Sequence, residues 1–126
     1  MKAWQEYRNA PSSGTLLCSV EELKHLQVKE FQFGDESPFP FRMFVFNDNG
    51  SFIAYRNACP HYDVPLNHTT EEILTTDKKH FQCITHFAIF DKHSGLCVEG
   101  PCEGESLQTI PLCIEDDQIF IAESNK

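Results

Sequence analysis

Two short stretches of the 126-residue chain combine a cysteine and a histidine at spacings that suit metal binding. Cys59 is followed two positions later by His61, and Cys83 is followed three positions later by His86. Such spacing lets a short loop place a thiolate and an imidazole on a metal without its backbone crossing the site. We therefore predict one metal centre with these four ligands. The ligands alone leave open whether it holds a single zinc ion or the two irons of a cluster.

The overall charge excludes some classes of partner. The chain has 10 Lys and Arg residues against 19 Asp and Glu residues, a formal net charge of -9. Nucleic acids and anionic membrane surfaces require clustered positive charge, so we expect neither as a partner, and a protein with a basic docking face fits better. Residues 1–20 show neither a signal-peptide pattern nor an apolar run long enough to span a bilayer. We expect a soluble, cytoplasmic protein.

A chain of this length can bury an adequate apolar core and does not need disulfides for its stability. We therefore expect no disulfide framework among the cysteines outside the ligand motifs. We expect them to be small buried hydrophobic groups in a reducing compartment. Whether Cys97 and Cys102 also have a redox role is left open. The four residues in question are Cys18, Cys97, Cys102 and Cys113.

Short apolar stretches separated by turn residues predict a chain made mostly of strands. Asn49-Gly50 supplies the positive backbone angles that a tight hairpin turn requires. Ser19 and Glu22 form a capping-box pattern, which predicts one short helix through about His25. Strands are predicted at residues 15–18, 28–33, 39–47, 51–55, 71–76, 79–83, 107–114 and 118–122.

These elements predict an all-β fold, an antiparallel sandwich or barrel with one short helix. Residues 1–14 are predicted to form an N-terminal arm and residues 15–126 a single domain. The strands that precede Cys59 and Cys83 should place the two ligand loops at neighbouring strand ends.

In chain order the sequence contains Cys59-Pro60-His61, Cys83-Ile84-Thr85-His86, Phe90-Asp91, Ser94-Gly95 and Gly100-Pro101. Together these motifs resemble the Rieske [2Fe-2S] family, specifically its soluble, low-potential, single-domain ferredoxins. The resemblance implies a Rieske-like fold with a small cluster-binding subdomain at about residues 57–103. It also implies that Cys59 and Cys83 hold the inner iron of one [2Fe-2S] cluster and that His61 and His86 hold the outer iron. Gly100-Pro101 resembles the loop that shields the cluster in this family.

The resemblance further implies a monomeric one-electron carrier without catalytic residues of its own. Its partners would be a flavin-containing reductase and a terminal oxygenase or reductase. Two alternatives stay open: an electron-relay or regulatory subunit of a larger, nitrite-reductase-like assembly, and a zinc-stabilised binding module. High-potential relatives place hydroxyl groups near the cluster sulfurs, whereas Ala88 and Phe90 carry none here, so we expect a low reduction potential.

One departure from the family pattern bears on the second ligand loop. Phe87 stands where a glycine usually follows the second histidine. Glycine permits backbone torsions and close approaches that other residues resist. Phe87 therefore predicts either a changed loop or an additional apolar lid.

Overall fold

A computed structural model of the chain describes residues 3–60, 65–67, 70–85 and 87–123, with only the backbone at residues 70 and 71. The described part consists mainly of antiparallel strands, which confirms the predicted all-β class. Its helices are α1 (Val20–Leu23) and two 3-10 helices, Trp4–Glu6 and Thr70–Ile73. The strands are β1 (Leu16–Ser19), β2 (Val28–Phe33), β3 (Phe41–Asp48), β4 (Ser51–Arg56), β5 (His80–Gln82), β6 (Ile89–Asp91), β7 (Cys97–Glu99), β8 (Thr109–Ile110), β9 (Leu112–Glu115) and β10 (Gln118–Ile121).

The chain divides into two compact units. One comprises Met1–Arg56 with Thr109–Lys126, and the other comprises Asn57–Gln108. The first unit holds a three-stranded sheet in the order β1-β10-β9 and a four-stranded sheet in the order β2-β3-β4-β8. The second unit holds one three-stranded sheet in the order β5-β6-β7. Both cysteines of the predicted metal centre belong to this second unit.

The first unit is built around an apolar core drawn from both of its sheets. Trp4 is buried in this core, and its ring centroid lies 6.2 Å from that of Phe41. An aromatic pair at this separation contributes to packing beyond the area that it buries. The N-terminal 3-10 helix is thereby anchored to the first unit through one side chain.

Two local predictions in the first unit are confirmed. Asn49 and Gly50 have φ values of 50° and 95°, and β3 pairs with β4 up to Asp48 opposite Ser51. The Ser19 Oγ accepts a hydrogen bond of 3.2 Å from the Glu22 backbone N–H. The helix is shorter than predicted, however, because α1 ends at Leu23.

The predicted strand at residues 71–76 is wrong. A 3-10 helix occupies Thr70–Ile73, and the β-pairing of this segment with β5 is an isolated bridge between Leu74 and Phe81. The side chain of Gln82 supplies the reason, because its Nε2 donates to the backbone oxygens of Glu72 at 3.0 Å and Leu74 at 3.1 Å. These carbonyls are satisfied by a side chain and need no strand partner.

The predicted strand at residues 107–114 is divided in the structure. Pro111 lies between β8 and β9, and proline has no backbone N–H to donate to a strand ladder. β8 pairs with β4, whereas β9 pairs with β10. The predicted hairpin between β9 and β10 is confirmed, with Asp116 and Asp117 at φ values of 50° and 60° in its turn.

Candidate metal centre

Both predicted thiol ligands are buried at the ends of strands. Cys59 lies three residues beyond the end of β4, and Cys83 directly follows β5. The other two predicted ligands, His61 and His86, lie outside the described residues. Within the described ranges, no group of three or more His, Cys, Asp or Glu residues is placed to hold a metal ion. The structure thus places the two cysteines and leaves the four-ligand set a prediction.

A pair of buried asparagines holds the segment after Cys59. The Asn57 Nδ2 donates to the Asn67 Oδ1 at 2.8 Å, and the Asn57 Oδ1 accepts from the backbone N–H of Leu66 at 2.8 Å. One amide side chain can do both because it carries a donor and an acceptor. Neither asparagine was among the predicted site residues, and the signal for Asn57 was its position between β4 and Cys59.

The two ligand loops are joined directly through the backbone. The Ile84 N–H donates to the Leu66 oxygen at 2.9 Å. Since Leu66 is also held by Asn57, the chain after Cys59 and the chain after Cys83 share one hydrogen-bonded frame. A buried frame of this kind limits how far either cysteine can move, as a metal ligand requires.

The second ligand loop is closed by two short hydrogen bonds around Phe87. The Cys83 N–H donates to the Ala88 oxygen at 2.9 Å, and the Phe87 N–H donates to the Cys83 oxygen at 2.7 Å. Phe87 has a φ of 58°, in the left-handed region, and its side chain is 72% exposed. The backbone therefore adopts a conformation that glycine favours, and the ring does not pack as an additional apolar lid on the described residues.

Replacing Phe87 by glycine should stabilise the protein by about 1 kcal/mol, because a bulky residue in the left-handed region stores backbone strain. Part of the gain is offset by the greater freedom of glycine in the unfolded chain. The measurement is denaturant unfolding of the parent and the variant.

Val98 gives a matched control for this substitution. It is also an exposed apolar residue, but it lies in the extended strand β7, so Val98→Gly should destabilise the protein. Equal destabilisation by the two glycine substitutions would show that the Phe87 ring contributes to folding.

A third loop packs on the second ligand loop at Gly100. Gly100 has a φ of 109°, and a Cβ built on it would lie 2.8 Å from the Ala88 Cα and 3.3 Å from the Ala88 Cβ. No real side chain tolerates the first of these distances, so the backbone approaches this closely only because residue 100 is glycine. Ala88 is buried beneath it.

The turn that leads into this third loop explains the Phe90-Asp91 and Ser94-Gly95 motifs. The Asp91 Oδ2 accepts from the Ser94 Oγ at 2.8 Å, the Ser94 N–H at 2.8 Å and the His93 N–H at 3.1 Å. These donors, led by the Ser94 hydroxyl, hold the pKa of Asp91 below its ordinary value. The ionised carboxylate thus organises the turn between β6 and β7.

Two further cysteines lie at this site. Cys97 and Cys102 are buried, and the Cys102 Sγ lies 3.0 Å from the Cys97 Sγ. Burial is the main cause of a raised pKa at Cys102, and hydrogen bonding to Cys97 and the charge of Cys59 raise it further. The prediction of burial is confirmed for Cys18, Cys97 and Cys102 and is wrong for Cys113, which is partly exposed. The closeness of Cys97 and Cys102 to each other was not predicted.

Residues 13–111 match the family model for the Rieske [2Fe-2S] domain. Human apoptosis-inducing factor 3 is 26% identical over 110 residues, which is 87% of this chain but 16% of that protein. The chain therefore spans about a sixth of the length of this curated relative.

Solved structures share the fold. The ferredoxin of carbazole 1,9a-dioxygenase from Nocardioides aromaticivorans IC177 matches with a TM-score of 0.66 and 18% identity, over 90% of this chain and all of that one. A ferredoxin of Sphingomonas yanoikuyae B1 matches with a TM-score of 0.63 and 24% identity, over 88% and 99% of the two chains. The terminal oxygenase of carbazole 1,9a-dioxygenase from Novosphingobium sp. KA1 matches with a TM-score of 0.66 and 15% identity, over 90% of this chain and 31% of that one.

Antiparallel sheets carrying two buried cysteines on connected loops define a small β protein with a candidate metal centre. The chain belongs to the Rieske [2Fe-2S] domain family. Its cofactor is accordingly a Rieske-type [2Fe-2S] cluster, and the chemistry of the two described thiols fits it, since thiolates are the ligands of iron–sulfur clusters. Among the described residues, none of the helices has the length and apolar character needed to cross a membrane.

Proposed function

We propose that this protein is a one-electron carrier that takes electrons from a flavin-containing reductase and passes them to a terminal oxygenase or another reductase. The observation that carries this proposal is the extent of the family match, which covers residues 13–111. The described residues outside the match form the N-terminal 3-10 helix, β9 and β10. The Rieske match therefore takes up most of this sequence.

The residues proposed to hold the cluster are Cys59 and Cys83 at the inner iron and His61 and His86 at the outer iron. The burial of both cysteines and the hydrogen-bonded frame between their loops support this assignment. When bound, the cluster accepts or releases one electron. Gly100, packed on Ala88, is proposed to exclude water from that part of the site.

Acidic side chains near the site support a partner with a basic docking face. Glu99, Glu103 and Glu105 are all exposed on the segment that carries Gly100 and Pro101. Together with the net charge of -9, they would steer a positively charged surface toward this end of the second unit. Because exposed charges are screened by salt, electron transfer to such a partner should slow as ionic strength rises.

A permanent electron-relay subunit of a larger, nitrite-reductase-like assembly is the second candidate. It is favoured by the finding that the matching regions make up 16% of the human relative and 31% of the oxygenase chain, so a domain of this fold also occurs within longer proteins. Size-exclusion chromatography of a native lysate separates the candidates, since a free monomeric carrier elutes near 14.5 kDa. We also infer a cytoplasmic location, which fractionation of the source cells would test.

The purified protein should contain two irons and two acid-labile sulfides per chain, with a midpoint potential on the order of −150 mV, the low end for His2Cys2 clusters. The physical reason is that Ala88 and Phe90, both buried, offer no hydroxyl to the cluster sulfurs. Iron and sulfide assays followed by voltammetry give the result.

Two outcomes would contradict this prediction. One zinc per chain in a colourless protein would support the zinc-stabilised binding module instead. A midpoint potential above about +100 mV would show that other donors reach the cluster, since that value lies well inside the upper range of the family.

A further inference from the structure

The sulfur atoms of the two cysteines that flank Gly100 and Pro101 lie closer together than two non-bonded sulfur atoms normally do. The 3.0 Å between the Cys97 Sγ and the Cys102 Sγ is shorter than the sum of two sulfur van der Waals radii. A disulfide has an S–S length of about 2.05 Å, so the two atoms need to approach by only about 1 Å more. The Cys97 thiol meanwhile contacts the Glu99 oxygen at 3.3 Å.

The backbone around the pair holds the two sulfurs together. The Cys97 N–H donates to the Glu105 oxygen at 2.7 Å, and the Gly104 N–H donates to the Cys97 oxygen at 3.1 Å. The Glu105 N–H donates in turn to the Cys102 oxygen at 2.9 Å. Both cysteines are therefore fixed to the same few residues, and the entropy of bringing them together has already been lost on folding.

Local opening of this segment gives an oxidant access to the pair. Cys97 and Cys102 are buried, but residues 98–101 between them and residues 103–106 after them are all exposed. Exposed segments of this kind open more readily than the core of a domain. A small reagent can then reach the sulfurs without unfolding of the whole unit.

We propose that Cys97 and Cys102 form an oxidisable dithiol that a low-molecular-weight disulfide, such as oxidised glutathione, converts to an intramolecular disulfide. One cysteine attacks the glutathione disulfide, forming a mixed disulfide and releasing one glutathione thiol. The other cysteine displaces the second glutathione. The two protein thiols lose two protons and two electrons, and one glutathione disulfide is reduced to two thiols. The new bond closes the loop that carries Gly100 and Pro101, and it does not require the proposed electron carriage.

The chain offers a direct test, because a glutamyl endopeptidase cleaves after Glu99, between the two cysteines, and trypsin cleaves after Lys92, which separates Cys97 from Cys83. The purified, cluster-containing full chain is treated with increasing oxidised glutathione until the partly exposed Cys113 is modified. Remaining thiols are then alkylated under denaturing conditions and the digest is examined by mass spectrometry. We expect the Cys97 peptide and the Cys102 peptide to be joined, and dithiothreitol to release them as two alkylatable peptides.

The controls are single serine substitutions. Cys97→Ser and Cys102→Ser should each abolish the joined peptide, whereas Cys113→Ser should retain it. If a variant fails to fold, the peptide map of the unsubstituted chain still decides the question. Separate alkylated Cys97 and Cys102 peptides after complete modification of Cys113 would overturn the proposal, as would a bond from Cys102 to Cys59.

Discussion

Replacing Cys83 by serine should leave the protein without iron and acid-labile sulfide, and Cys59→Ser should do the same. Both side chains are buried at strand ends, and a serine hydroxyl stays protonated at neutral pH where a thiolate would bind iron. Because a bound metal centre contributes its binding free energy to folding, we expect the free energy of unfolding to fall by several kcal/mol. Iron and sulfide assays, the visible spectrum and denaturant unfolding measure both effects.

Cys113→Ser is the control for these substitutions, because Cys113 is partly exposed on β9 and belongs to the other unit. It should keep the full iron content and nearly all of the stability. Full cluster occupancy in either the Cys59 or the Cys83 variant would mean that a different thiol is the ligand. Cys102 would then be the first alternative ligand, since it lies close enough to Cys59 for the charge of Cys59 to raise its pKa.

Replacing Gly100 by alanine should lower the free energy of unfolding by about 3 kcal/mol, combining backbone strain at positive φ with an overlap that repacking must relieve. The added Cβ would meet the Ala88 Cα at 2.8 Å, and this backbone atom cannot rotate away as a flexible side chain could. The loop must therefore move off the second ligand loop. We expect the variant to lose its visible absorbance faster than the parent on warming.

Gly104 provides the matched control, because it has a φ of 92° but no heavy atom within 4 Å of the position that a Cβ would take. Gly104→Ala should cost only about 1 kcal/mol, the strain of the backbone alone. The difference between the two variants measures the contact with Ala88. Equal losses of stability and equal rates of bleaching would show that this contact has no role in protecting the cluster.

The sequence by itself determined features that depend on neighbouring residues. The Asn49-Gly50 turn and the Ser19–Glu22 capping box form from local hydrogen bonds and backbone preferences, so their residue types were sufficient. The family resemblance was also readable, because its motifs are short and their order along the chain is preserved. The all-β class followed from the spacing of apolar stretches and turns.

The tertiary structure decided the features in which distant residues compete for the same groups. The segment after residue 70 had a plausible strand pattern, yet the side chain of Gln82 takes the carbonyls that a strand partner would have used. Likewise Phe87, at a position where glycine is usual, predicted a changed loop or an additional apolar lid. Hydrogen bonds on either side hold it in a glycine-like conformation with its ring in solvent.

The shortest contacts at the site were also decided by the tertiary structure. Nothing in the spacing of Cys97 and Cys102 predicts a sulfur separation of 3.0 Å, since four intervening residues can adopt many conformations. Gly100 could be recognised as a flexible position, but not as one pressed against Ala88. A sequence indicates which conformations each residue permits, whereas contacts between separate loops depend on the packing that selects one of them.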